Sequence, residues 1–148
     1  MARYLVVAHQ TVTNPALLKQ CLAVRQEDPQ AEFVLLVPAT PVRHLLFRRG
    51  VEGEAATVAG KLAGRARAMF AKKGVPLSDA RVGAESPADA IDDEVKANPE
   101  YAGFIISTLP RETSRWLRMD LPRTVESKYH KPVYHVLAER GWTAGDLP

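Results

Sequence analysis

Two stretches of the chain combine residue types that could bind or process a small molecule. The first, His9-Gln10-Thr11-Val12-Thr13-Asn14, offers an imidazole, an amide and two hydroxyls just after a short apolar run. The second, Ser107 to Leu121, carries Ser107 and Thr108 and then spaces Arg111, Arg115 and Arg118 ahead of Asp120. An imidazole can take or sense a proton near neutral pH, and a guanidinium clasps phosphate or carboxylate oxygens in a two-pronged pair. Two chemistries are therefore open. One is recognition of a small anion by the arginines, with Ser107 and Thr108 as hydroxyl partners and His9 facing them. The other is catalysis on a phosphorylated or acylated substrate, with His9 as general base and the arginines as anion clamp.

Other reactive residue types do not assemble. His44, His130 and His135 fall on a loop, a helix end and an edge strand, and no zinc spacing emerges. Cys21 lies on an apolar helix face and reads as core, and one thiol builds no disulfide framework. Asp92-Asp93 reads as an exposed helix face rather than a cation site. No spacing supports a Ser, His and acid constellation.

The elements that must position these residues follow from short apolar runs and turn signals. Tyr4 to Ala8, Glu32 to Val37 and Gly103 to Ser107 lack alternation, as strands covered on both faces do. Asp79 to Gly83 and Val133 to Leu137 read as two further strands. Asn14-Pro15 and Ser86-Pro87 each give a cap followed by the one helical position that welcomes proline. The first opens a helix with Leu18, Cys21, Leu22 and Arg25 on one side, and the second opens a helix reaching Ala97. From Glu54, a face of Ala55, Val58, Ala59, Leu62, Ala66, Met69 and Phe70 predicts a long helix capped by Gly74. Gly60 and Gly64 in it read as small residues where the helix crosses the sheet. Pro38 to Gly53 reads as a long loop, Leu109 to Leu121 as a polar, Arg-rich crossover, and Pro122 as the start of a last helix. Strand and helix thus alternate, which predicts an α/β domain: an open five-stranded parallel sheet with helices on both faces, Rossmann-like. Residues 1–138 form the domain and 139–148 a C-terminal tail. Ligands of such sheets bind beyond the carboxyl ends of the strands where strand order reverses, which singles out the two stretches above together with Val37 to Thr40.

Composition narrows the class. With 148 residues, 46% hydrophobic and 25% charged, the chain has room for one globular domain. The longest apolar runs, Tyr4 to Ala8 and Phe33 to Val37, are five residues each, against the roughly 18 or more of a membrane span. The first is also too short for a secretory signal, so a cytoplasmic location is expected. A net charge of +3 without a basic stripe carrying aromatics gives no reason to expect nucleic acid as a partner.

The loop after the first strand excludes several relatives of this architecture. No carboxylate occurs before Glu27, so the magnesium site of a receiver domain cannot form. Residues 9–15 contain no glycine, which argues against an adenylating enzyme's pyrophosphate cradle and against a flavin phosphate loop, for which Thr11-x-Thr13-Asn14 is only a weak echo. The whole pattern resembles the universal stress protein family over about residues 2 to 137: Tyr4 to Ala8, the long helix before the third strand, Gly103 to Ser107, and Lys131-Pro132-Val133-x-His135-Val136. Members that bind ATP carry glycine, two residues, glycine, nine residues, then glycine and serine or threonine after the fourth strand. That pattern falls here on Ser107, Pro110, Asp120 and Leu121, and the aspartate such members place after the first strand falls on His9.

These replacements bear directly on phosphate. Proline has no N–H to offer, and a side chain keeps the backbone from approaching closely. A carboxylate at about 4 Å repels a unit phosphate charge by about 4 kcal/mol at an effective dielectric near 20. A helix N-terminus returns only about 0.3–2 kcal/mol. Repulsion wins unless Arg111, Arg115, Arg118 or Arg123 intervenes. A plainer reading has Asp120 capping the last helix, paired with Arg118 or Arg123, and Trp116 covering apolar surface. The resemblance then implies a non-catalytic universal stress-type protein whose nucleotide cleft has degenerated, with no cofactor, and the altered motif argues against both ATP and AMP. The expected ligand is a small anion, bound among His9, Gln10, Val37, Ser107, Thr108, Arg111, Arg115 and Asp120; Val37 enters because an adenine ring would lie against its main chain. The expected partner is a second copy paired through the last strand, with the small enzyme as the alternative.

Overall fold

The computed structural model describes residues 2–41, 51–111 and 113–142, with backbone alone at 51–53. The elements run β1 (Arg3–Val7), α1 (Pro15–Glu27), β2 (Glu32–Pro38), α2 (Val51–Lys72), β3 (Asp79–Gly83), α3 (Pro87–Ala97), β4 (Gly103–Thr108), α4 (Arg115–Arg118), α5 (Leu121–Tyr129) and β5 (Val133–Leu137). The five strands form one sheet in the order β3-β2-β1-β4-β5, with every pairing parallel. Strand order reverses between β1 and β4, so their carboxyl ends open the crevice in which such sheets take ligands.

The apolar runs lack a period of two because both sheet faces are covered. Val6, Ala8, Phe33, Leu35, Val37 and Ile105 pack with α1 and α2 on one face. Leu5, Val7, Val34, Leu36, Phe104 and Ile106 pack with α3, α4 and α5 on the other. The expected caps form: Asn14 Oδ1 accepts the Ala16 N–H at 2.9 Å, and Ser86 caps α3. Gly74, at φ +81°, ends α2 as expected, with the Val75 N–H reaching back to Phe70 O at 2.9 Å.

Several expectations need correction. The buried stripe of α1 is Leu17, Cys21 and Val24, and Leu22 is exposed, because the helix is rotated so that Leu17 rather than Leu18 points at the sheet. Gly60 and Gly64 are exposed with open space around them; α2 approaches the sheet through Ala55, Ala59, Ala63 and Ala66 instead. The helix also begins at Val51, three residues before the expected Glu54. The crossover between β4 and α5 contains a helix of its own, α4, too short for periodicity to signal. Residues 42–50, including His44, and residues 143–148 of the tail lie outside the described residues.

Candidate functional site

The first wall of the crevice is the turn after β1. His9 O accepts the Val12 N–H and Thr11 O accepts the Asn14 N–H, and this turn delivers the chain to the Asn14 cap. The turn is tied down from two sides. Thr11 and Ser107 hydroxyls meet at 2.6 Å across the β1/β4 reversal. From the C-terminal side, Asn14 Nδ2 donates to Glu139 at 3.1 Å and the Trp142 indole N–H to Gln10 O at 3.2 Å. Residues 139–142 therefore brace the loop, where the sequence suggested only a tail.

The second wall is the segment after β4. Thr113 and Ser114 N–H groups both turn inward to Pro110 O, at 2.9 and 3.0 Å. Ser114 Oγ then accepts the Leu117 N–H and starts α4. Trp116 is buried in the second core and anchors this turn of helix. Arg115 and Arg118, three apart, are exposed and line the crevice. Among the described residues neither makes an ion pair.

Between these walls lies a cleft of about 410 Å³, lined by His9, Gln10, Thr11, Ser107, Thr108 and Arg115 among others, with no carboxylate among the described residues that line it. Depth orders the groups: His9, Thr11, Ser107 and Thr108 are buried, whereas Arg115 and Arg118 stand at the mouth. His9 Nε2 is buried without a hydrogen-bond partner among the described residues, and burial pushes the imidazole pKa down to about 4, so the ring is neutral near pH 7. The Thr108 hydroxyl meets His135 Nε2 at 2.9 Å. Burial and the Arg111 charge together lower the pKa of His135.

Five of the eight residues singled out by sequence thus share one cleft: His9, Gln10, Ser107, Thr108 and Arg115. Val37 is fully buried at the end of β2 and packs in the first core. Arg111 is exposed and outside the lining, where its charge acts on His135. Asp120 also stands outside the lining, its side chain 61% exposed and 3.8 Å from Arg123. It occupies the N-cap position of α5 but makes no capping hydrogen bond, contrary to the plainer expectation. Its backbone is left-handed, at φ +53°, unlike the extended backbone from which Asn14 and Ser86 cap. The place where the family pattern carries glycine is therefore a place where this chain turns left-handed, and Asp is one of the few other residues that tolerate it. Arg118, raised in the sequence only as one of four possible anion clasps, also lines the cleft, as do Thr113 and Ser114, which were not singled out. The i, i+3 spacing of Arg115 and Arg118 was the available signal, hidden while α4 was read as coil.

No family model matches the chain and no curated protein matches it. Among solved structures, a universal stress protein family protein from Arabidopsis thaliana, crystallised with AMP bound, superposes with a TM-score of 0.57. The chain shares the fold of a universal stress protein. The match covers 95% of this chain and 94% of that one at 13% identity. Similarity of that kind extends to the α/β fold with its parallel sheet. Among the described residues no helix is long and apolar enough to cross a membrane, and no group of three or more His, Cys, Asp and Glu side chains is placed to hold a metal ion.

Proposed function

We propose that this chain is a non-catalytic, universal stress-type ligand-binding protein, in which arginine side chains have taken over from a backbone phosphate cradle. The observation that carries the reading is the pair Arg115 and Arg118, without carboxylate partners among the described residues, at the mouth of a cleft whose described lining residues include no carboxylate. Supporting it, several amides of the segment after β4 are not free for a phosphate: Pro110 has none, and those of residues 113, 114 and 117 donate within the chain. A guanidinium needs no such amides, because it brings a planar, permanently charged fork to the anion. The ligand is accordingly small and anionic. The enzyme alternative needs a base with a pKa near working pH; His9, at about 4, is too weak.

Its setting is proposed to be regulatory or stress-related, in the cytoplasm, as a homodimer. Among the described strands β5 is a sheet edge, with Leu137 exposed, which suits strand pairing about a two-fold axis. Native mass spectrometry of the purified protein, followed by calorimetric titration with ATP and magnesium, tests the ligand reading. Arg115→Ala should weaken binding of any anion found by about tenfold or more, the loss of a charge-assisted pair. Stoichiometric ATP retained with its triphosphate seated on residues 107–121 would refute it. Gel filtration at the monomer mass across a wide concentration range would remove the dimer.

A further inference from the structure

A second depression, of about 610 Å³, adjoins the cleft and shares Arg115, Trp116 and Arg118 with it. Its size falls within the roughly 300–1,000 Å³ of small-molecule pockets. Two groups of opposite charge line it. Glu85 and Asp89 stand at the start of α3, and Arg115 and Arg118 on α4. All four are exposed, and among the described residues none of them makes an ion pair, with one another or elsewhere.

The scaffold keeps the two groups apart. The Ala39 N–H donates to Gly83 O and Ala84 O, both at 3.1 Å, and the Thr40 hydroxyl to Glu85 O at 3.1 Å, which ties the turn after β3 to the end of β2. Ser86 then caps α3. The α4 side is fixed separately, by its Ser114 cap and by Trp116 in the second core. Attraction between exposed charges amounts to only about 0–1 kcal/mol, too little to draw these anchored segments together. The rest of the lining includes Ala84, Pro87, Trp116 and Met119. Met119 is 56% exposed, the most of any large hydrophobic side chain among the described residues. Its thioether, on three rotatable bonds, adapts to whatever covers it. A purely anionic ligand lying here would meet Glu85 and Asp89, and a metal ion would meet the arginines. The complement of both is an apolar body with a cation at one end and an anion at the other. A single amino acid carries its two charges on one carbon, whereas a peptide sets them at opposite ends, as walls that do not touch require.

We infer that this depression takes a short apolar peptide with free ends, its ammonium on Glu85 and Asp89, its carboxylate on Arg115 and Arg118, and its side chains on Trp116 and Met119. The carboxylate end rests on the anion reading above; the acidic wall and the apolar floor go beyond it.

The test titrates the full chain with leucyl-leucine, its N-acetyl and C-amide derivatives, and inorganic phosphate, following the Met119 methyl resonance by NMR, with Met119→Leu to assign it. Met119 lines this depression and not the first cleft, so its resonance reports where the peptide sits. Leucyl-leucine should bind and shift that resonance. Capping either end should weaken binding about tenfold, the loss of one charge-assisted contact. The Glu85→Gln, Asp89→Asn double variant should bind the parent peptide only as well as the N-acetyl form, whose own affinity should not change. Arg115→Ala should weaken the parent peptide and leave the amide nearly unaffected. Equal wild-type affinity for the parent and N-acetyl peptides, or a Met119 resonance that stays in place while the peptide binds, would overturn the inference and leave the arginine reading standing. So would a chain that binds phosphate, more weakly in Arg115→Ala, but no peptide. Indifference of both probes to Arg115→Ala, or binding of neither, would remove the anion reading and this inference together.

Discussion

Lowering the pH should destabilise this protein chiefly through His9, in a window where carboxylates contribute little. Burial holds the folded-state pKa at about 4, against an ordinary value of 6.5. Because the folded pKa is the lower of the two, the unfolded chain binds the proton more readily. Stability from the neutral ring is therefore complete above about pH 6.5, declines as pH falls, and levels off below about 4. A gap of this size amounts to about 3 kcal/mol in all, of which about 2 kcal/mol is gone by about pH 5. Since His9 is almost fully buried, solvent screening takes little from that figure. The assay is urea unfolding at about pH 8, 6 and 5 for the wild type and for His9→Gln, in dilute acetate or phosphate-free buffer. His135, whose pKa is lowered in the same direction by burial and by Arg111, titrates in both proteins and cancels in the comparison. Asp79, stabilised as the anion chiefly by its hydrogen bond from Arg81, loses its contribution only as pH falls through the carboxylate range. The wild type should lose about 2 kcal/mol more than the variant between about pH 8 and pH 5. Parallel pH profiles would show that the His9 ring is solvated, and the orphaned Nε2 argument would fall with it.

Three further perturbations probe the scaffold. Glu94 is buried and accepts hydrogen bonds from Arg81 at 2.5 Å, Tyr101 at 2.7 Å and Asn98 at 3.0 Å; Arg81 keeps its pair with Asp79, so Glu94→Ala should cost about 1–3 kcal/mol in chemical denaturation, chiefly by leaving the buried Tyr101 hydroxyl without its acceptor, and a loss within error of zero would show the cluster to be solvated. A Cβ on Gly83 would lie 2.7 Å from Ala90 Cβ and 2.9 Å from Leu36 Cδ1, so Gly83→Ala should overpack the α3 face by about 1–3 kcal/mol; a neutral effect would mean that β3 and α3 can separate freely. Asp120→Ala should cost about 1 kcal/mol while Asp120→Gly stays within about half that of the wild type, the pattern expected of a left-handed position. Equal losses from both would instead point to the carboxylate and its exposed contact with Arg123.

What sequence could and could not locate divides along the reach of the interactions. β3, α3 and β5 match their expected bounds, and β1, β2, β4, α1 and α5 match within a residue or two, because caps, prolines and apolar runs are local signals. Arg115 and Trp116 were visible as residue types, but α4 was not. One turn of helix has no period, and it exists because Ser114 caps it and Trp116 finds a pocket in the second core. The loss of the glycine pattern at Pro110 was legible, whereas the consumption of the Thr113 and Ser114 amides by Pro110 O required the folded turn.

The chain by itself determined that it is a parallel α/β domain, that the turn after β1 has no glycine, and that arginines crowd the segment after β4. Those properties reside in composition and in spacings of a few residues. Only the tertiary structure decided that His9 Nε2 lacks a partner among the described residues, that the Arg111 charge bears on His135, that Asp120 is left-handed rather than a cap, and that residues 139–142 brace the first loop. Each of these depends on groups distant in sequence or on a backbone angle set by packing around it. A side chain's identity fixes what it can bond to, and only the fold fixes what stands within reach.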